Sequence, residues 1–289
     1  MARVVCADGI AVHAEVYGSG VPIALSCALA TTADNWRPQI EPLVAAGMRV
    51  VLWDYRGHGR SDAPDDPRAY DVHQVVEDLS RVLDWAAPGE PAVLGGLSFG
   101  GLASLHLALR DPARARALVL VGSGPGFKNP DAQARWEALV ERTASFVLSK
   151  GMEAFVASRA VATLVGLHPE RPAAQWAARS IAAQTPHGIA HFARRVAGPA
   201  EPVIDRLGEI EAPTLVVVGE HDEQYLRAAE VLTARMPRAE RMQIAGAGHI
   251  VNLDEPAAFD AALLGFLARQ GIARGAGAGI GVRAGDKKR

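Results

Sequence analysis

Cysteine is almost missing from this 289-residue chain, where Cys6 and Cys27 stand alone. Two thiols make no disulfide framework, so the fold must hold by burial, which fits a reducing compartment. Long apolar runs are also missing: none reaches the roughly 18 residues that cross a bilayer. Met1 to Gly20 is broken by Asp8, Gly9, His13 and Glu15. It lacks the short apolar core and small-residue cleavage site of a signal peptide, so we expect a cytoplasmic protein with no membrane partner. Neither sign of charge is in excess. Thirty Lys plus Arg stand against 32 Asp plus Glu, a net −2, which offers no basic field to gather nucleic acid. Apolar residues are plentiful. At 49% hydrophobic and 21% charged, the chain can bury a large core and is excluded from the disordered, collagen-like and coiled-coil classes.

Short aliphatic runs alternate with longer helical patterns, the signature of a mostly parallel sheet with crossover helices, an α/β fold. Ile10 to Tyr17 alternates like a half-buried strand. Ile23 to Ser26, Val50 to Trp53, Ala92 to Leu94, Leu118 to Val121 and Leu215 to Val218 are compact runs suited to buried parallel strands. Val72, Val75, Val76, Leu79, Val82 and Leu83 recur at helical spacing after Asp71, and Asp71 with Gln74 resembles a capping pair. Leu102 to Leu109 is apolar nearly all round and reads as the most buried helix, ending before Pro112. A last helix opens at Glu255-Pro256. The alternation stops after Gly122 and resumes at Pro213. We therefore expect a core formed by residues 1–125 and 200–272, an inserted helical cap over 126–199, and a flexible tail over 273–289, rich in Gly, Ala and basic residues.

The sharpest chemical signal is Gly96-Leu97-Ser98-Phe99-Gly100, between a strand pattern and a helix pattern. A serine on such a turn sits in a strained backbone conformation that pushes its hydroxyl out of the sheet, and the flanking glycines let the segments pass closely. With this elbow in that context, the chain resembles the α/β-hydrolases over nearly all of Val4 to Ala268. Three more segments carry the resemblance. Trp53 to Asp62 matches the loop after the family's fourth strand, Gly219-Glu220-His221-Asp222 the acid turn, and Gly248-His249 with Glu255-Pro256 the histidine loop.

Ser98 then needs a base to take its proton and an acid to orient that base. His249 is the candidate base, in a glycine-rich loop after the strand-like Met242 to Ala245. Asp222 is the candidate acid because it lies just beyond Leu215 to Val218, with Glu220 its nearest competitor. The alternative family position, Gly122-Ser123-Gly124-Pro125, offers no carboxylate. For the oxyanion, the N–H of Phe99 supplies one donor. By resemblance the second comes from the loop after Ile23 to Ser26, where Leu29 inherits the role. The family's usual His-Gly is replaced there by Cys27-Ala28. Ser26 to Thr32 and Gly96-Leu97-Ser98 are most similar to the enol-lactonase branch, and Cys27 reads as a small buried residue.

Other signals point to structure. His187 and His191 are four apart, but Gly188 stands where a zinc-peptidase motif needs Glu. Gly122 to Lys128 fails as a phosphate loop, and no dinucleotide fingerprint opens a helix. Arg56, His58 and Arg60 read as a structural turn. In the cap, Trp136, Phe146 and Trp176 are candidates to line a substrate pocket. The reading is a serine hydrolase of an ester or lactone, needing no metal or organic cofactor and working as a monomer or homodimer. Rivals on the same residues are an enol-lactonase, a carbon–carbon bond hydrolase, an acyltransferase and a cofactor-free perhydrolase. A non-catalytic ligand receptor is the alternative from another class.

Overall fold

The structure, a computed structural model, describes residues 1–273. The chain opens with β1 (Ala2–Val5), β2 (Ala11–Gly18), β3 (Val21–Ser26), α1 (Arg37–Ala45) and β4 (Met48–Trp53). It continues through α2 (Val72–Ala86), β5 (Ala92–Leu97), α3 (Phe99–Arg110) and β6 (Ala115–Val121). A helical stretch follows, α4 (Pro130–Val156), α5 (Ala162–Val165), α6 (Pro172–Ala182) and α7 (Pro186–Phe192), with no described strand inside it. The last elements are β7 (Thr214–Gly219), α8 (Glu223–Arg235), β8 (Ala239–Ile244), α9 (Val251–Asp254) and α10 (Pro256–Arg269). The strands form one eight-stranded sheet in the order β1-β2-β4-β3-β5-β6-β7-β8. Pairs β1–β2 and β2–β4 are antiparallel and all the others parallel.

Period-two alternation splits the central strands between two cores. Ile23, Leu25, Val93, Val119, Val121, Leu215 and Val217 face one side with Leu43 of α1 and Phe259, Leu263 and Phe266 of α10. Ala24, Leu94, Leu118, Leu120, Val216 and Val218 face the other, packed with α2, α3 and α8. Both faces being covered explains why these strands read as unbroken apolar runs. The expected α2 cap is half right. Asp71 does cap, its carboxylate accepting from the His73 N–H at 2.8 Å, but the Gln74 side-chain oxygen accepts from Arg56 instead. Pro38 and Pro42 hid α1 in the sequence, and β1, four residues long, was too short to stand out.

Gly151, at φ +82°, kinks α4, which packs on α6 and α7. Gly188 of α7 lets this helix touch the loop after β4, since an added Cβ would lie 2.5 Å from the Gly57 carbonyl oxygen. That close approach is the reason for a glycine between His187 and His191. No described helix is long and apolar enough to cross a membrane. The expected tail falls outside the described residues except for Ala273, which packs on the core.

Candidate active site

Ser98 is the single residue between β5 and α3, at φ +54° and ψ −117°. Such a conformation costs about 1–3 kcal/mol in a residue with a Cβ, so the surroundings must fix it. The Ser98 N–H donates to the Val121 carbonyl at 2.8 Å, and its carbonyl accepts from the Ser123 hydroxyl at 2.7 Å. Both flanking glycines are sterically required. A Cβ on Gly96 would collide with the Gly100 backbone, and one on Gly100 would lie 2.5 Å from the Ser26 carbonyl oxygen.

Sheet order brings the distant segments to Ser98, because β5, β6 and β7 are neighbours and end on one edge. Asp222 follows β7 and precedes α8, and His249 lies between β8 and α9. The Asp222 carboxylate is 2.8 Å from His249 Nδ1. A carboxylate only accepts, so in the neutral imidazole Nδ1 carries the hydrogen and Nε2 the lone pair. Gly122, at φ +47°, roofs the pair, and a Cβ there would lie 3.0 Å from His249 Nδ1. Glu220, the competing acid, accepts from the Gly246 N–H at 2.9 Å and steadies the histidine loop from outside. Buried Asp254 steadies it from inside, accepting from the Gly248 N–H at 2.8 Å and from the Leu167 N–H. Burial raises the Asp254 pKa above the usual carboxylate value.

The Ser98 hydroxyl meets a partner that the sequence reading missed. Its Oγ is 3.3 Å from the Tyr225 hydroxyl, and the Tyr225 ring stacks on His249 with centroids 4.8 Å apart at 26°. Among the described residues no hydrogen bond joins Ser98 Oγ to His249. The available signal was spacing: Tyr225 lies three residues after Asp222, in the first turn of α8.

The loop after β3 is held tightly. Ala30 has φ +62°, the left-handed region that a residue with a Cβ rarely adopts. Its N–H donates to His58 Nε2 at 3.1 Å, and its carbonyl accepts from the Gln184 side chain at 2.8 Å. Gln184 also accepts from the Gly59 N–H at 3.0 Å, so a residue between α6 and α7 ties two core loops together. Burial pulls the His58 pKa down to about 4. Among the described residues, neither the Leu29 nor the Phe99 N–H has a protein acceptor. Cys27 is fully buried, and burial holds its pKa well above the usual thiol value. The basic turn is scaffold: Arg56 makes two 2.7 Å bonds to Asp78, and Arg60 bonds Glu15 at 2.6 Å.

Two cavities meet at Ser98. One, of about 490 Å³, is lined by Leu102, Phe127, Trp136, Leu139 and Tyr225 among others. The other, of about 540 Å³, is lined by Leu29, Phe155, Asp222, His249 and Tyr225 among others, and Trp136 borders both. The remaining aromatic expectations need correction. Phe146 lines neither cavity, because it lies behind Phe155, 6.2 Å between centroids. Trp176 is 49% exposed, under the guanidinium groups of Arg37 and Arg179 at 5.3 and 5.9 Å.

A model of the family described as alpha/beta hydrolase fold matches residues 25–256, and the chain belongs to this family. Its strand order, elbow and covered sheet are those of an α/β hydrolase. Among particular relatives, the chain is 32% identical to a protein of Azorhizobium caulinodans named "Putative carbamate hydrolase RutD", over 87% of this chain and 93% of that one. The solved structure of a hydrolase from Pseudomonas aeruginosa PA01 superposes with a TM-score of 0.77 at 29% identity, covering 92% of this chain and 97% of the other. The enol-lactonase from Burkholderia xenovorans LB400 superposes at 0.79 with 25% identity, covering 92% and 100%.

Proposed function

We propose that this hydrolase cleaves a carboxylic ester or lactone through an acyl-enzyme on Ser98. The observation that carries the reading is Ser98 itself, strained at φ +54° where both cavities meet. His249 Nε2 takes the Ser98 proton as Oγ bonds to the substrate carbonyl carbon, and Asp222 holds the imidazole in that tautomer. The Phe99 and Leu29 amides receive the oxyanion. Collapse breaks the bond to the leaving oxygen, which takes the proton from His249. Water attacks the acyl-enzyme by the same route and frees the acid.

The first cavity, with Leu102, Phe127, Trp136 and Leu139 in its lining, suits the acyl chain. It borders Ser98 and Phe99 but not His249, whereas the departing oxygen must reach His249 in the second cavity. Residues 126–199 act as a cap on a core of 1–125 and 200–272, with Trp136 the substrate-contacting aromatic, and the protein works in the cytoplasm as a monomer or homodimer. Carbamate cleavage is the second reading. It draws on the relative named for that activity and uses the same attack on a carbonyl. The test is kcat/KM for 4-nitrophenyl esters of rising acyl length beside simple carbamates, in the wild type and Ser98→Ala. We expect ester turnover that grows with chain length and a loss of at least about 10³-fold in the variant. Turnover of carbamates alone would favour the second reading, and full activity in Ser98→Ala would remove the serine from its role.

A further inference from the structure

We infer that Tyr225 is a catalytic residue, its hydroxyl donating a hydrogen bond to the leaving oxygen during acylation. This rests on the acyl-enzyme reading above and goes beyond it, since a serine, an imidazole and a carboxylate already complete that scheme. The observation is the double contact at one side chain: 3.3 Å from the Tyr225 hydroxyl to Ser98 Oγ, and the Tyr225 ring stacked on His249. The phenol therefore follows the imidazole plane and ends at the atom that the imidazole must serve. Tyr225 also borders both cavities, so its hydroxyl stands where the substrate divides into acyl group and leaving group.

The step balances without a new reactant. Ser98 Oγ bonds to the acyl carbon and its proton passes to His249 Nε2. The bond from acyl carbon to leaving oxygen then breaks, with the electron pair going to that oxygen and the proton following from His249 to give a neutral alcohol. Tyr225 keeps its own proton throughout. In the resting site its hydroxyl lies within hydrogen-bond distance of Ser98 Oγ, where either oxygen can donate, and in the reaction it donates to the departing oxygen as charge develops there. Burial raises the Tyr225 pKa, which keeps the phenol protonated, and so a donor, at neutral pH.

A donor aimed at developing charge helps most when the leaving group is a strong base. Tyr225→Phe preserves the ring and its stacking while removing the hydroxyl. The test compares kcat/KM for 4-nitrophenyl butyrate and ethyl butyrate, which share an acyl group but differ greatly in leaving-group basicity. We expect the ratio between them to widen by about 10- to 100-fold in the variant, the range for a lost hydrogen bond to a charged group. An unchanged ratio overturns the proposal, whether both rates hold or fall together, because a merely structural role would move the two esters alike. Labelling of Tyr225→Phe by a fluorophosphonate, with a thermal melt, checks that nucleophile and fold survive. Should the wild type hydrolyse neither ester, the ester reading itself fails; should it hydrolyse both and the ratio stay fixed, only Tyr225 loses its role.

Discussion

Acid should loosen this fold through His58. The ring is 1% exposed, and its Nε2 accepts the Ala30 N–H on the loop that carries Leu29. Protonation turns that acceptor into a donor and places a charge in the core. With the folded pKa at about 4 against an ordinary 6.5, the unfolded chain binds the extra proton first. Stability is therefore full above pH 6.5 and is lost as pH falls towards 4. Each unit of difference is worth about 1.4 kcal/mol, so the ceiling is about 3 kcal/mol. Between pH 7 and 4.5 the linkage integral gives about 2 kcal/mol. The assay is urea unfolding across that range for the wild type and His58→Gln, which leaves an acceptor but no titration. Surface carboxylates titrate alike in both proteins, so the difference between the two curves isolates His58. We expect the wild type to lose about 2 kcal/mol more than the variant on acidification. Parallel curves would refute both the buried neutral imidazole and its grip on the Ala30 loop.

Asp260 works in the opposite sense. Burial raises its pKa to about 6, so it weakens the fold as pH rises through that value. Asp260→Asn should add about 1 kcal/mol at pH 8, after discounting for partial exposure, and almost nothing at pH 4; a destabilised variant at pH 8 in the same urea assay would contradict this. Gly100→Ala should lower stability by about 1–3 kcal/mol or more through its clash with the Ser26 carbonyl, read as a lower melting temperature, and an unchanged melt would show that the elbow tolerates a methyl. Asp222→Asn should reduce kcat on 4-nitrophenyl butyrate by about 10³- to 10⁴-fold with the melt preserved, because the amide can favour the wrong imidazole tautomer. A loss below tenfold would point to another orienting group.

How much was legible depended on how locally each feature is determined. The elbow could be read because strand, strained serine, flanking glycines and helix are contiguous in Gly96 to Gly100. The pairing of Asp222 with His249 could be anticipated because both lie just past strand-like segments, and sheet order brings those strand ends together. Cap aromatics carry no such address. Trp136, Phe146 and Trp176 look alike in sequence, yet helix packing turns the first into the cavities, sets the second behind Phe155 and leaves the third at the surface. Tyr225 escaped notice because a tyrosine on an amphipathic helix ordinarily packs, and its contact with Ser98 depends on how α8 docks beside β7. In the clamp around Ala30, Gln184 is 154 positions away and His58 28, which no spacing rule reports.

The most direct measurement of the central claim is covalent. Wild-type protein is treated with a fluorophosphonate, and the intact mass and proteolytic peptides are read by mass spectrometry. The account predicts one adduct per chain, located on Ser98 and lost in His249→Ala. An adduct on another residue, or undiminished labelling of Ser98 without the imidazole, would contradict it.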